Sequence, residues 1–393
     1  MDAFGRTGLI SNDLAFFASA GEYDASAPAM VDTGTKNYCL VAGTKLWHMQ
    51  TEITQNLDLL DTAGHLTREG WARQPCWHYD RTAIKAPWWR IKEWDYFSVL
   101  SPDQKFGLTL TMSDLGYAGL FAICFLDFER GFFHQVDTLS ILPRGQTGFS
   151  QDSDSGMVTF GDNKLQITFK YTQKRRVLAF SAPGLKNAAG EQDISGEITL
   201  DQPDTLQSIN IATSWAENRQ AFYYNRKINC MPARGGFTIG STRYTYAPER
   251  DFGALDWGRG NWTYKNRWYW GSASGHVHGH ALAWNIGYGF SDRRPASENT
   301  LFFDGVAHKL AEVTFHMDES DYTRPWRFTS SDGRFEMQFA PLLDRSANVN
   351  LGLIRSVQHQ VFGMFSGTIV LDDGTKIAVD QFLGFAEDVL NCW

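Results

Sequence analysis

From Lys105 onward the chain is written in short segments of aromatic and β-branched residues, each closed by a tight polar turn. KFGLTLTM (105–112), YAGLFAICFLDFE (117–129) and FFHQVDTLSIL (132–142) follow one another in this way. MVTF-GDN-KLQITFKY (157–171) has the turn chemistry of a hairpin. In the second half Phe-Asp-Gly (303–305), Ser-Asp-Gly (331–333) and Asp-Asp-Gly (372–374) interrupt segments of the same kind. Ring and branched side chains fit a pleated surface better than a helix face. Helical periodicity is confined to brief candidates at 13–20 and 384–391. The expectation is an all-β protein: two lipocalin-like antiparallel β barrels or sandwiches packed together, with few short helices. The polar connection DQPDTLQ around Pro203 and Asp204 suggests the division. It gives an N-terminal extension over residues 1–35, an N-terminal β lobe over 36–204 and a C-terminal β lobe over 205–393.

Charge and motifs remove several classes of function. A net charge of -8 and the lack of a basic run interleaved with aromatics argue against a nucleic-acid partner. No stretch of about 18 apolar residues is present to form a transmembrane segment. The five cysteines (39, 76, 124, 230, 392) are odd in number, widely spaced and without C-x-x-C, which reads as reduced thiols of a cytoplasmic protein. There is no P-loop, no G-x-S-x-G elbow and no H-E-x-x-H, so no cofactor and no serine-hydrolase chemistry is expected. Oligomeric state is left open.

The candidate site lies in LDWGRGNWTYKNRWYWGSASGHVHGHALAWNIGYGFSD (255–292). Aromatic walls with a few placed polar groups are the make-up of a ligand cavity. Trp257, Trp262, Tyr264, Trp268, Trp270, Asn285 and Tyr288 are the expected ligand-binding residues here, joined by Asn225 from AFYYNRKIN (221–229). Strand alternation places Trp268 and Trp270 on one face and Tyr269 on the other; it likewise groups Tyr223, Asn225, Lys227 and Asn229 against Phe222, Tyr224, Arg226 and Ile228. Asp256 is the first candidate acid, since a carboxyl desolvated among rings holds its proton near neutral pH. The competing reading pairs it with Arg259 across a tight glycine turn. Lys265 either orients a substrate oxygen or is simply exposed. Glu93 in RIKEWDYF is the second candidate acid, with a structural ion pair as its alternative. His276, His278 and His280 form H-x-H-x-H, but Gly279 interrupts the run and no metal is expected there.

GWARQP (70–75), RIKEWDYF (90–97), AFYYNRKINCMPARGG (221–236), LDWGRGNWTYKNRWYWGSASG (255–275) and NIGYGFSD (285–292) resemble, in order, the hallmark blocks of domain-of-unknown-function family 2804. More loosely, FSGTIVLDDGTKIAVDQFLGFAED is similar to the closing hairpin of two-lobed lipocalin-like proteins such as carotenoid 1,2-hydratases and tocopherol cyclases. Gly367, Gly374, Gly384 and Glu387 are the matching positions. That resemblance implies a cavity, between or within two β lobes, for a hydrophobic small molecule. The function expected is a cofactor-independent hydratase, cyclase or isomerase acting on an unsaturated substrate by general-acid chemistry. Asp256 would give the proton, with Arg259 or Lys265 as its electrostatic partner. The alternatives are a non-catalytic lipid or terpenoid carrier and, more remotely, a carbohydrate-active protein.

Overall fold

The computed structural model describes residues 50–350 and 352–393; the N-terminal extension, Cys39 and the helix candidate at 13–20 lie outside the described residues. The described chain is all-β apart from two short 3-10 turns, with its strands gathered in two large curled antiparallel sheets and one small parallel pair. This is the two-lobed all-β class expected from the turn spacing.

The spine of the first sheet runs in the order Phe132–Ile141, Ala118–Asp127, Phe106–Asp114, Ile91–Ser101, Phe252–Asn261, Asn218–Ile239, Gln192–Asp201, Arg175–Lys186, Gln166–Thr172, Gly156–Gly161. Its centre joins strands far apart in sequence, with Tyr96 opposite Asp256 and Lys227 opposite Asp256 on the other side. The second sheet runs Val306–Lys309, Thr300–Phe303, His280–Tyr288, Lys265–Val277, Lys376–Cys392, Arg355–Val370, Phe335–Asn350, Trp326–Ser330, Val313–His316.

Two sequence expectations are corrected by this layout. The chain leaves the first sheet between Asn261 and Lys265, not at residue 204. The strands on either side of Pro203 both pair with Asn218–Ile239, so the polar DQPDTLQ segment is a connection inside one sheet. The helix candidate at 384–391 is part of the strand Lys376–Cys392. Residues 382–389 of that strand are buried on both faces, which erases the alternation by which a strand is usually known.

Each sheet curls around its own core. Phe97, Phe125, Phe169 and Trp257 fill the first; Trp284, Trp326, Phe328 and Phe365 fill the second. Where the sheets meet, their central strands form a third buried layer that includes Tyr96, Trp270, Phe362 and Phe385. Tyr96 and Trp270 meet edge to face, with ring centres 5.7 Å apart. Such a pair contributes about 0.5–1.5 kcal/mol beyond its burial. Gly258 lets the layer close: a Cβ there would collide with the Trp94 ring. The long strand Asn218–Ile239 bends at Cys230, which has φ +54° where the pairing shifts between Ile228 and Met231. That bulge hands the strand from one set of neighbours to the next.

Candidate active site between the sheets

Strand alternation aims Tyr223, Asn225, Lys227 and Asn229 at the second sheet, while Phe222, Tyr224 and Ile228 enter the first core. A row of amide, amine and amide groups is therefore buried in the seam. Asp256 joins it from the adjacent strand, directly opposite Lys227. The second sheet supplies Trp268 and Trp270, Asn285 and Glu387 from three neighbouring strands. Glu298 comes from the connection just before Thr300–Phe303, into space that Gly287 leaves free; a Cβ on Gly287 would meet the Glu298 carboxyl.

Lys227 is the centre of this group. Its Nζ donates to Asp256 Oδ2 at 2.8 Å, lies 3.8 Å from Glu298 Oε2, and is 3.8 Å from the centre of the Trp270 ring. Asn225 Nδ2 donates to Asp256 Oδ1 at 2.5 Å, so both oxygens of Asp256 accept. The Tyr223 hydroxyl donates to Glu298 Oε2 at 3.4 Å. Trp270 Nε1 donates to Asn285 Oδ1 at 2.7 Å, and Asn285 Nδ2 donates to the Glu298 carbonyl at 3.1 Å. Farther along, Glu387 accepts from Trp268 Nε1 at 2.9 Å and from Gln360 Nε2 at 3.1 Å. Asn225 Oδ1 is buried without a partner among the described residues, leaving an acceptor free within the site.

Electrostatics in the seam favour protonated acids. Three carboxyls, Asp256, Glu298 and Glu387, are buried here, and two of them, Asp256 and Glu298, lie 2.8 and 3.8 Å from one buried amine, Lys227. Burial raises Glu298 above the ordinary carboxylate range, with Lys227 opposing the shift and Asp256 adding to it. Burial likewise pushes Glu387 up to about 7, while Trp268 and Lys227 hold it lower than it would otherwise be. With Asp256 matched to Lys227, proton retention by the other two is the cheapest way to keep them buried.

A small cleft, about 240 Å³ including its open mouth, is lined by Thr213, Tyr223, Tyr288, Phe290, Arg293 and Glu298. The tryptophans do not bound a wide chamber. Trp262 packs edge to face on Trp215, Tyr223 and Trp268, and Trp284 lies fully inside the second core.

The structure thus brings together Asp256, Asn225, Trp268, Trp270 and Asn285, with Trp262 in the adjoining aromatic layer. It separates the others. Arg259 is three residues from Asp256 along a strand, not across a turn, and so points the opposite way, into the first lobe. There it donates to Asp95 Oδ1 at 2.9 Å, and its Nε is 3.8 Å from Glu93. Glu93 also accepts from Tyr79 at 2.9 Å and pairs with Arg81, while Trp257 lies against the Arg259 guanidinium. The expected Asp256–Arg259 pair is therefore replaced by two separate pairs, one on each face of the sheet. Lys265 begins its strand exposed, and Tyr264 is exposed with its hydroxyl donating to the Leu353 carbonyl. Tyr288 stacks on Tyr269 at the cleft mouth. His276 and His280 lie on successive strands joined through a turn at His278, whose φ is +50°, so the three imidazoles do not share one strand face. His280 instead contacts Asp304 at 2.8 Å. No group of three potential metal ligands occurs among the described residues.

Lys227 and Glu387 had partial signals in the sequence: the first stands in the Asn-Lys-Asn row, the second in the closing hairpin. Glu298 had none, because its connection has no period from which a direction could be read.

The family model described as Domain of unknown function (DUF2804) matches residues 50–393. The chain belongs to this family. Among solved structures, CghA superposes with a TM-score of 0.50 at 13% identity, covering 76% of this DUF2804 chain and 87% of CghA. An AttH-like protein from Nitrosomonas europaea reaches 0.47 at 13% identity, with 76% and 92% covered. Kievitone hydratase from Nectria haematococca reaches 0.45 at 12%, with 77% and 88% covered. CghA has also been solved with Sch210972. At these identities the likeness to CghA is one of fold. Comparison with curated protein sequences gave no match.

Proposed function

We propose that this DUF2804 protein is a cofactor-independent enzyme of the hydratase, cyclase or isomerase type, acting on an uncharged, largely apolar, unsaturated small molecule in the seam between its sheets. The observation that carries this reading is the sharing of one buried lysine by two buried carboxyls, Asp256 and Glu298, with a third, Glu387, buried nearby without a cation of its own. An acid that keeps its proton near neutral pH is a competent general acid. Glu298 is the donor, because it lines the cleft and has Tyr223 and Lys227 on one carboxyl oxygen. Its proton would pass to an alkene carbon, forming a C–H bond and a carbocation. The Asp256 carboxylate and the faces of Tyr223 and Phe290 stabilise that charge. Water or an internal nucleophile then closes the cation, and the Glu298 carboxylate takes back the released proton, so no redox partner is required.

The charge balance also supports the substrate class. A further anion would enter a site already holding more acids than bases, whereas a neutral alkene leaves the protonation pattern undisturbed.

The test is turnover of a panel of neutral terpenoid and polyketide alkenes by wild type and Glu298→Gln. A fall of more than about 100-fold in kcat/KM, some 2.7 kcal/mol of transition-state stabilisation, is the expected outcome with the thermal transition retained. Equal rates in the two proteins would remove Glu298 from the mechanism. Stoichiometric binding without product would make the protein a carrier.

A further inference from the structure

A second buried charge cluster lies inside the first lobe, away from the seam. Arg176, Arg226 and Arg259 rise from three strands and are all buried, at 0%, 3% and 0% exposed. Arg259 has carboxylate partners built into the sheet, Asp95 and Glu93. Arg176 and Arg226 do not. Among the described residues their shared carboxylate is Asp154, whose Oδ1 accepts from Arg226 at 2.7 Å and from Arg176 at 3.0 Å. Asp154 belongs to no strand. It lies on the connection between Phe132–Ile141 and Gly156–Gly161 and is partly open to solvent.

The same connection is pinned by further arginine donors. Arg176 reaches the Ser153 carbonyl at 2.9 Å, Arg226 the Ser153 hydroxyl at 2.8 Å, and Arg259 the Ser150 carbonyl at 3.1 Å. Apart from Phe149, which lies 5.0 Å over Arg259, the attachment is polar. Arg176 Nε remains buried without a partner. Two buried guanidinia that repel one another are thus bridged by one carboxylate from a surface segment. Paired guanidinia are the recognition chemistry for a carboxylate, and two of them hold it in a fixed orientation. The ring of Tyr171, 5.4 Å from the Arg176 guanidinium, offers a flat apolar neighbour.

We propose that Arg176 and Arg226 form a binding site for an aromatic organic carboxylate, and that Asp154 fills it in the free protein. Ligand entry exchanges one carboxylate for another and lifts residues 150–154 from the lobe. The internal Asp154 lowers apparent affinity by the fraction of time it holds the site.

The probe is benzoate, with benzamide as its uncharged counterpart, measured by calorimetry on the full-length wild type and on Asp154→Ala. Benzoate should bind Asp154→Ala at least about 10-fold more tightly than wild type, as expected if the internal carboxylate occupies the site about nine-tenths of the time. Benzamide should bind neither. Equal benzoate affinity in the two proteins, binding of benzamide as well as benzoate, or no benzoate binding to folded Asp154→Ala would each overturn the site. Should Asp154→Ala not fold, hydrogen exchange of the wild type decides. Saturating benzoate should speed exchange of the amides of 150–154 alone. Unchanged exchange, or a change spread over the sheet, would overturn it.

Discussion

The seam between the sheets and the interior of the first lobe both bury charge, but they balance it differently. In the lobe Asp95 and Glu93 each have strong donors of their own. Asp95 accepts from Arg259 and Tyr171, and Glu93 from Arg81 and Tyr79. In the seam Asp256 and Glu298 share a single Lys227, and Glu387 accepts from the neutral donors Trp268 and Gln360. In the lobe burial raises Glu93 too, but Arg259 and Arg81 oppose it, and the cluster serves the fold. An acid-rich one must hold protons, and protons held in a buried site are available for chemistry. Two tryptophans make the parallel close: Trp257 lies under the Arg259 guanidinium at 3.9 Å, and Trp270 under the Lys227 ammonium at 3.8 Å.

Removing the cation from each cluster separates them most sharply. Arg259→Met leaves Asp95 and Glu93 buried with too few donors, and should lower unfolding free energy by about 3–5 kcal/mol, the usual loss when a buried pair is broken from one side. Lys227→Met should lose less, about 1–3 kcal/mol, because a carboxyl can answer by keeping a proton. That loss should shrink between pH 8 and pH 5 in urea titrations, and the Arg259→Met loss should shrink less, because Tyr79 and Arg81 still donate to Glu93 and Tyr171 to Asp95. Equal losses at both sites and both pH values would erase the distinction between a charge-paired and a proton-holding cluster.

The next effect is a pH dependence of stability. Glu387 titrates near 7 when folded and near 4.5 when unfolded. Between those values the folded chain holds a proton that the unfolded chain has released. Stability from this group is therefore fully present below about 4.5 and falls as pH rises, by about 1.4 kcal/mol per unit, approaching about 3 kcal/mol at neutral pH. Glu298, also raised by burial, acts in the same direction. Glu387→Gln should flatten the wild-type slope between pH 5 and 7. A slope identical in the two proteins would show that Glu387 ionises normally in the seam.

How far the chain discloses these clusters depends on which neighbours a residue needs to be understood. Strand alternation alone separates Trp268 and Trp270 from Tyr269, and Asn225 and Lys227 from Tyr224 and Arg226; the structure keeps both separations. Turn chemistry likewise gives the all-β class, and the Trp-rich blocks give the family. Partners across a sheet are another matter. Arg259 finds Asp95 some 164 positions away, and Tyr171 reaches the same Asp95 over 76 positions. Nothing local to L-D-W-G-R-G reveals that Asp256 and Arg259 serve opposite faces until the segment is known to be a strand, because its glycines read as a turn. Those glycines answer instead to close packing, as Gly258 does beneath Trp94. The boundary between the sheets was hidden for a related reason: Asn261 to Lys265 is an aromatic connection, while the polar signal at 203–204 marks only a turn.

The smallest effect compares the paired tryptophans. Trp→Phe at either position keeps a ring beneath the cation and removes similar volume, so those losses largely cancel in the difference. What does not cancel is the indole N–H. Trp270 Nε1 donates to Asn285 Oδ1, whereas Trp257 Nε1 is buried without a partner. Trp270→Phe therefore strands a buried acceptor, and removing the partner of such a group costs about 1–3 kcal/mol. Trp257→Phe relieves a buried donor that had no acceptor and should be the milder change by about 1 kcal/mol or more in denaturant titrations. Asn285 also donates to the Glu298 carbonyl, so losing its other anchor should loosen the proposed acid and lower kcat without the loss of binding that a rebuilt cleft would cause. If the two variants are equally stable, Asn285 has another source of donors in the seam. The indole N–H would then be no part of what fixes Glu298.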